Sequence, residues 1–565
     1  MALRRILIIG GYGGFGGRLA KLLRDDARLA LLVAGRDLKK ARAFCDAQAG
    51  APASFIPVAF TRGRDHRAAL GSLHADLVVD ASGPFQDYGD DPQALARDAV
   101  ASGIPCIDLT DSADYVEAIS ALDDAARAQG VFVLSGLSTC PALTSAVVRD
   151  LAKGMARVTS ITGGIAPSPF LDMGESVLRA IASYAGKAVP VWGQGKVGMD
   201  RALLSHRHLH IAPPGAVPLG RRFFSLVEVP DLRLMPKVAT GLRDVWFGAS
   251  IRPRLQHWAV IALAMLVRVR VFGSLRPFVR MMGFWQKRLR WGAHRGGMVV
   301  EVRGEDATSQ TITRSFHLLA EGDTGPFVPV MAAAAVIKRW CEGIVPAQGA
   351  RPALSELELA DFAPFFTRLK MATGTRERMA ATAPLYQRLL GSKWRDLPEE
   401  IRAMHDVASS CRVAGRAKVH RGRNPLARLT AFIVRFPPTS DDVAVNVQFD
   451  AKDGIETWTR DFGGKRFASR QEEGCGARAH LMIERFGPLA FAMAVVLEPG
   501  RMSLVHVGWR IFGIPMPRFL APRVVAYEEV RDGKFNFHVR VTHPLCGLIV
   551  QYDGWLAREN ECMPS

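Results

Sequence analysis

The first quarter of the chain alternates short apolar runs with amphipathic stretches. Runs at 5–10, 29–34, 54–59, 76–81, 106–109 and 131–135 predict strands, and stretches between them, such as 91–101 and 113–128, predict helices. Six strands joined by helical crossovers predict a doubly wound parallel sheet. Near-continuous apolar strands such as Ala75-Asp76-Leu77-Val78-Val79 fit burial on both faces. Further on the rhythm changes. Strand-like segments at 298–303 and 311–319 and a helix at 330–341 predict a mixed α+β region. From about residue 385, two short helical segments give way to alternating strands at 443–449, 456–462, 480–484, 489–497, 502–509, 523–530 and 535–541. That pattern predicts a mainly antiparallel β module.

The expected organisation is therefore a parallel α/β domain at 1–140 and an α+β domain at 141–366. A polar linker at 367–384 and a β-rich domain at 385–565 follow. A length of 565 residues, 48% hydrophobic and 22% charged, suits several globular domains and excludes a disordered or fibrous chain. The apolar run at Ile6–Ile9 is too short for a secretory signal and enters a glycine loop, so a buried strand is expected there. The eight cysteines contain no CxxC pair, which excludes a zinc ribbon or disulfide framework and fits a reducing cytoplasm.

The first strand runs into Gly10-Gly11-Tyr12-Gly13-Gly14-Phe15-Gly16-Gly17. Gly11-x-Gly13-x-x-Gly16 is the dinucleotide fingerprint of a Rossmann sheet, a tight turn leading to a helix whose first amides can meet a pyrophosphate. Gly11, Tyr12, Gly13, Gly14, Phe15 and Gly16 are thus the first candidate cofactor residues. The second strand ends on Arg36, where an NAD site usually carries a carboxylate. Arginine there suits a 2′-phosphate and favours NADP over NAD. Asp37 is placed to cap the next helix. The fourth strand leads into Ser82, Gly83, Pro84 and Phe85, a loop that should also face the cofactor.

Gly83-Pro84-Phe85-x-x-Tyr88-Gly89, Ile107-Asp108-Leu109-Thr110 and the glycine loop together resemble the saccharopine dehydrogenase-like reductases. That family includes lysine-pathway enzymes and lipid-related trans-acting enoyl reductases. The resemblance covers roughly 1–365, is specific over the first 140 residues, and implies an NAD(P)-binding domain followed by an α+β domain over the cofactor. Tyr88 and Asp108 are the candidate proton donors. Each also has a structural reading, Tyr88 closing its loop and Asp108 capping its own. Cys140 reads as a buried structural thiol. His206, His208 and His210 share one face of a strand but lack a completing carboxylate or cysteine, and no metal is expected.

Charge adds a second feature. Residues 1–150 hold 16 basic and 18 acidic side chains, whereas 201–300 hold 17 basic and 3 acidic, a net of +14. Within 251–297 there is no acid at all, and ten Arg and Lys residues interleave with the apolar run at 258–267 and with Phe278, Met281, Phe284, Trp285 and Trp291. Ten residues are about half of a bilayer span. The composition fits a helix lying in an anionic membrane interface, ahead of a buried helix with a solvated basic side, and well ahead of nucleic acid, for which no motif is present.

The C-terminal module resembles a bacterial domain of unknown function often fused to such reductases, through Trp458-x-Arg460-x-Phe462-Gly463-Gly464, Glu484-x-x-Gly487-Pro488, Gly513-Ile514-Pro515-x-Pro517 and Tyr552-x-Gly554-Trp555. Trp458, Arg460 and Phe462 share a strand face. Arg460 and Glu484 either pair with each other or bind a polar head, within a half-open sheet suited to an apolar ligand. The whole reads as a cytoplasmic NADP-dependent oxidoreductase, peripheral on the inner face of a membrane, acting on a hydrophobic or lipid-like substrate. The alternative is a non-catalytic protein whose nucleotide regulates lipid or partner binding.

Overall fold

The computed structural model describes residues 3–63, 66–407 and 409–558. Two compact units divide the chain. The first comprises Met1–Leu209, Phe223–Thr313 and Ala320–Met371, and the second His210–Arg222, Arg314–Leu319 and Ala372–Ser565. Cys562 lies outside the described residues.

The first unit opens with β1 (Arg4–Ile9), β2 (Leu29–Gly35), β3 (Ser54–Ala59), β4 (Leu77–Asp80), β5 (Cys106–Asp108) and β6 (Phe132–Ser135). They form one parallel sheet in the order β6-β5-β4-β1-β2-β3, with the Rossmann switch point between β1 and β4. Ile6–Ile9 and all of β2 are buried, as sheets covered on both faces require. β3 is the edge, half-exposed and carrying Pro57 where a missing donor is tolerated. A seventh strand, β7 (Gly349–Pro352), lies parallel to β6 on the other edge. Its four residues bracket one arginine with glycine and proline, so no periodicity announces it.

A mixed sheet follows around Arg157–Ala166, which pairs in parallel with Asp244–Ala249 and antiparallel with Arg295–Glu305. The expected apolar run lies in a helix at Arg254–Arg268, and a second helix spans Val279–Arg288.

In the second unit, ten strands from Ser410–Arg421 to Gly547–Arg558 pair each with the next, and the last pairs back with the first. The sheet is thus a closed antiparallel barrel where a half-open one was expected. The strands at Ser410–Arg421, Lys465–Glu473 and Gly547–Arg558 complete it. Their alternation is diluted by Arg and Gly, which hides them from a hydrophobic scan. The polar stretch 367–384 contains a strand, Ala372–Glu377, antiparallel to residues 314–319. Arg376 holds it in place, its buried guanidinium donating to the carbonyls of Ala212 at 2.7 Å and Leu389 at 2.7 Å.

Candidate functional site

β1 delivers the glycine loop to the carboxyl edge of the sheet, and helix α1 (Gly16–Leu23) leaves from it. A Cβ added to Gly16 would sit 2.3 Å from the Gly10 carbonyl oxygen, and one on Gly11 would sit 2.7 Å from that of Ile8. Only glycine permits this close packing of turn, strand and helix. Gly13 and Gly14 are exposed, so their backbone faces solvent. No side chain caps α1; its Gly17 and Leu19 amides donate to the Gly13 and Phe15 carbonyls, so an anion here would meet the other first-turn amides. Arg18 folds back onto the loop and donates to the Gly14 carbonyl.

At the end of β2, the Tyr12 ring lies against Gly35, and its hydroxyl accepts from the Asp37 backbone N–H at 3.0 Å. Asp37 caps helix α2 (Leu38–Asp46), accepting from Lys40 N–H at 3.1 Å. The carboxylate is thereby committed, and Arg36 beside it is exposed.

At the end of β4, Asp80 is buried and organises the next loop. Its Oδ1 accepts from the Ser82 N–H at 3.1 Å, the Ser82 hydroxyl at 2.6 Å and the Tyr88 hydroxyl at 3.2 Å. Ser82 and Tyr88 hydroxyls also meet at 2.8 Å. Arg62 stacks over the Tyr88 ring, 3.4 Å from its centroid, and its Nε lies 3.4 Å from Asp80 Oδ2. Phe85 packs on Tyr88 and Tyr115 at 4.9 and 5.0 Å, which fixes the Ser82-Gly83-Pro84-Phe85 turn. Burial and the neighbouring Asp80 push the Tyr88 phenol far above its ordinary range, so it stays protonated.

Asp108 stands beside Asp80 on the neighbouring strand. It is buried, and its Oδ1 accepts from the backbone N–H of Gly136 at 2.8 Å and of Thr110 at 3.1 Å, tying the ends of β5 and β6 together. Burial raises its carboxyl to about 7 against those hydrogen bonds.

Residues 6–134 match the family model of the saccharopine dehydrogenase NADP binding domain. The chain carries that domain, and with it is an NAD(P)-dependent oxidoreductase. Residues 397–556 match a domain of unknown function, DUF4166. No curated protein sequence matches the chain. Among solved structures, saccharopine dehydrogenase (L-Glu forming) from Saccharomyces cerevisiae is similar over 66% of this chain and 100% of its own, at 12% identity and a TM-score of 0.47. The WlbA dehydrogenase from Thermus thermophilus, solved with NAD and alpha-ketoglutarate, is similar over 64% and 94%, at 13% identity and 0.29. A myo-inositol dehydrogenase from Corynebacterium glutamicum is similar over 55% and 75%, at 12% identity and 0.26. The assignment rests on the sequence match.

The NADP-binding domain fits its cofactor in three ways: the glycine cradle has no room for a Cβ, the helix that meets the phosphates is uncapped, and the arginine at the end of β2 is exposed. Sequence reading missed Asp80, Arg62 and Arg18. Asp80 ends an apolar strand and so resembles a simple strand terminus, while Arg62 is brought to it only by the fold. It also missed Asp231, buried beside Thr144 and Cys140, whose carboxyl burial raises to about 6. Cys140 is a buried thiol pushed well up by desolvation, as a structural cysteine would be.

The three strand histidines have different surroundings. His206 Nδ1 lies 3.0 Å from the Ser225 hydroxyl, His208 packs on Phe223 at 5.3 Å, and His210 packs on His480 at 5.8 Å.

The basic stretch has an unusual outward face. In the Arg254–Arg268 helix, His257, Ile261, Ala264 and Val267 are buried along one stripe. The opposite stripe is also apolar: Leu255, Trp258, Met265 and Leu266 are exposed, Trp258 by 56%. The neighbouring helix exposes Met281, Phe284 and Trp285, with Trp291 just beyond. No helix among the described residues is long and apolar enough to cross a membrane.

The raised carboxyl gives a test by pH. Asp108 keeps its proton in the fold up to about pH 7, but ionises near pH 4 in an unfolded chain. Between those values the folded state binds the extra proton, so stability should fall as pH rises from about 4 to about 7, by up to ~4 kcal/mol from this group. Asp108→Asn keeps an acceptor for both backbone N–H groups and should flatten that slope in urea unfolding. An unchanged slope would show that Asp108 is ionised throughout.

Proposed function

We propose that this oxidoreductase uses NADP and acts on a hydrophobic, lipid-like substrate at an anionic membrane surface. The observation that carries the membrane part is the outward stripe of the Arg254–Arg268 helix, apolar where a solvated helix would be polar and flanked by arginines without acids. A basic side chain near anionic lipid adds about 1 kcal/mol, and apolar burial supplies the rest.

Bound at the glycine loop, the nicotinamide cofactor supplies the two-electron redox chemistry. The chain's own groups bind and position. The exposed Gly14 backbone and the start of α1 receive the pyrophosphate, beside a turn held by Gly13 N–H donating to the Gly10 carbonyl at 2.8 Å, and Arg36 receives the 2′-phosphate. Tyr88, committed to Asp80 and Ser82, holds the Ser82–Phe85 turn. Asp108 keeps a proton near neutrality and is the better candidate of the two for general acid. Catalysis is tested by following loss of NADPH absorbance on adding membrane extract. Turnover that Asp108→Asn abolishes, with NADPH affinity unchanged, supports the reading. Lipid that copurifies without any turnover would replace it by the nucleotide-regulated binding protein.

Cofactor choice is tested at Arg36. Arg36→Ala should weaken NADPH binding by roughly 1.5–3 kcal/mol, the scale of a hydrogen bond to a charged group, and leave NADH almost unchanged. Equal losses for both nucleotides would remove Arg36 as the discriminator.

A further inference from the structure

The barrel of the second unit encloses a cavity of roughly 200 Å³. The cavity walls are mostly aliphatic and aromatic, among them Val447, Phe449, Trp458, Met493, Phe537 and Val539. One end is plugged: Tyr386 and His405 stack there at 3.8 Å, and the Tyr386 hydroxyl donates to Gln471 Oε1 at 3.1 Å. The strand ends near the Pro425–Ile433 helix form the other, where Thr430, Val434 and Pro522 line the cavity. Large apolar side chains stand out in water on that helix and on the loops of the same barrel end. Phe432 is 77% exposed, Phe512 80%, Phe519 75% and Leu545 73%.

The charged groups that face this cavity all have partners. Arg460 Nη2 lies 3.5 Å from Glu484 Oε1, and Arg460 also donates to Ser469, which donates to the same carboxylate. Gln471 Nε2 donates to that oxygen as well, at 3.2 Å. His405 Nε2 lies 2.6 Å from Glu528 Oε2, and His538 pairs with Asp553. Arg460 further stacks on Trp458 and Phe467, 5.0 and 5.6 Å from their centroids. The pairing expected of Arg460 and Glu484 is thus made.

We infer that the barrel binds an uncharged lipid, an apolar molecule whose single polar group is a hydrogen-bonding one such as a hydroxyl or ester. A chamber with no spare cation does not offset the burial of a carboxylate or phosphate, whereas its walls suit a hydrocarbon chain. The Arg460–Ser469–Glu484–Gln471 network offers hydrogen bonds to a neutral group at no cost in charge. The apolar rim suits a ligand that arrives from a bilayer rather than from water. This inference is independent of the redox reading, because its test measures binding to the barrel and no turnover.

The full-length protein is titrated with Nile red, a neutral apolar dye, and the dye is then displaced with oleyl alcohol or with sodium oleate. The dye should brighten, and oleyl alcohol should displace it at a concentration at least tenfold below oleate. Val447→Phe, which fills the cavity, should reduce dye binding at least tenfold while NADPH affinity is kept. If that variant does not fold, the comparison of alcohol with oleate decides alone. Glu484→Gln removes the partner of Arg460 and keeps the acceptor for Ser469. It should tighten oleate at least tenfold and leave the alcohol unchanged, a gain that a purely structural pair would not give. Absence of dye binding, oleate competing as well as the alcohol, or no gain for oleate in Glu484→Gln would each overturn the inference.

Discussion

Replacing Leu255, Trp258 and Leu266 together by serine should abolish binding to anionic vesicles. Full burial of a large apolar side chain is worth roughly 1.5–3 kcal/mol. Partial insertion of three in the interface should still be worth about 3–6 kcal/mol, a loss of a hundredfold or more in partitioning. All three are exposed in the fold, and Trp258 also stacks on Phe223 at 5.2 Å, so the melting temperature should fall by only a few degrees and NADPH affinity should not change. Leu263 of the same helix is half-buried and is left alone. The intact protein should float with anionic vesicles, bind neutral ones less and partly dissociate in high salt, since screening weakens the arginines. If the intact protein floats with no vesicle, or the triple variant floats as well as the parent, the membrane reading fails and the stripe requires another occupant.

Gly16→Ala should reduce NADPH binding at least ~100-fold, about 2.7 kcal/mol, the upper end of a single hydrogen bond to a charged group. The added Cβ would lie 2.3 Å from the Gly10 carbonyl oxygen and 2.9 Å from Gly11 Cα. Both are backbone atoms, so the loop or the start of α1 must move, and the amides that meet the pyrophosphate move with them. Isothermal titration with NADPH checks this. Affinity within threefold of the parent would mean that the cofactor does not sit on this loop.

The first domain was legible because its signals are local. Each of β1 to β6 is a short apolar run closed by turn residues, and the six expected runs lie within one or two residues of the observed strands. The glycine fingerprint is local too, since its tightest contacts, to the carbonyls of Ile8 and Gly10, lie within nine consecutive residues, 8–16. β7 was not legible: it is an edge strand held mainly by pairing to β6, and such pairing leaves no periodicity in four residues. The barrel showed seven of its ten strands, because those seven carry apolar alternation. Its closure depends on Ser410–Arg421 meeting Gly547–Arg558, more than a hundred residues later, and on one flank those strands carry Arg416, Lys418 and Asp553.

The sequence by itself therefore determined the parallel sheet, the glycine loop, the arginine at the end of β2 and the basic apolar stretch at 251–297. Each of these is written in neighbouring residues, by periodicity, glycine sterics or charge. Only the tertiary structure decided which groups in the site are already engaged. Tyr88 is bound to Asp80 and stacked beneath Arg62, three residues from separate turns of the chain. Burial, which only the packed fold creates, raises the Asp108 carboxyl. The same holds for the stripe of Trp258: hydrophobic residues at helical spacing are identical in sequence whether they face a core or water. Which face is covered depends on where the rest of the chain has packed.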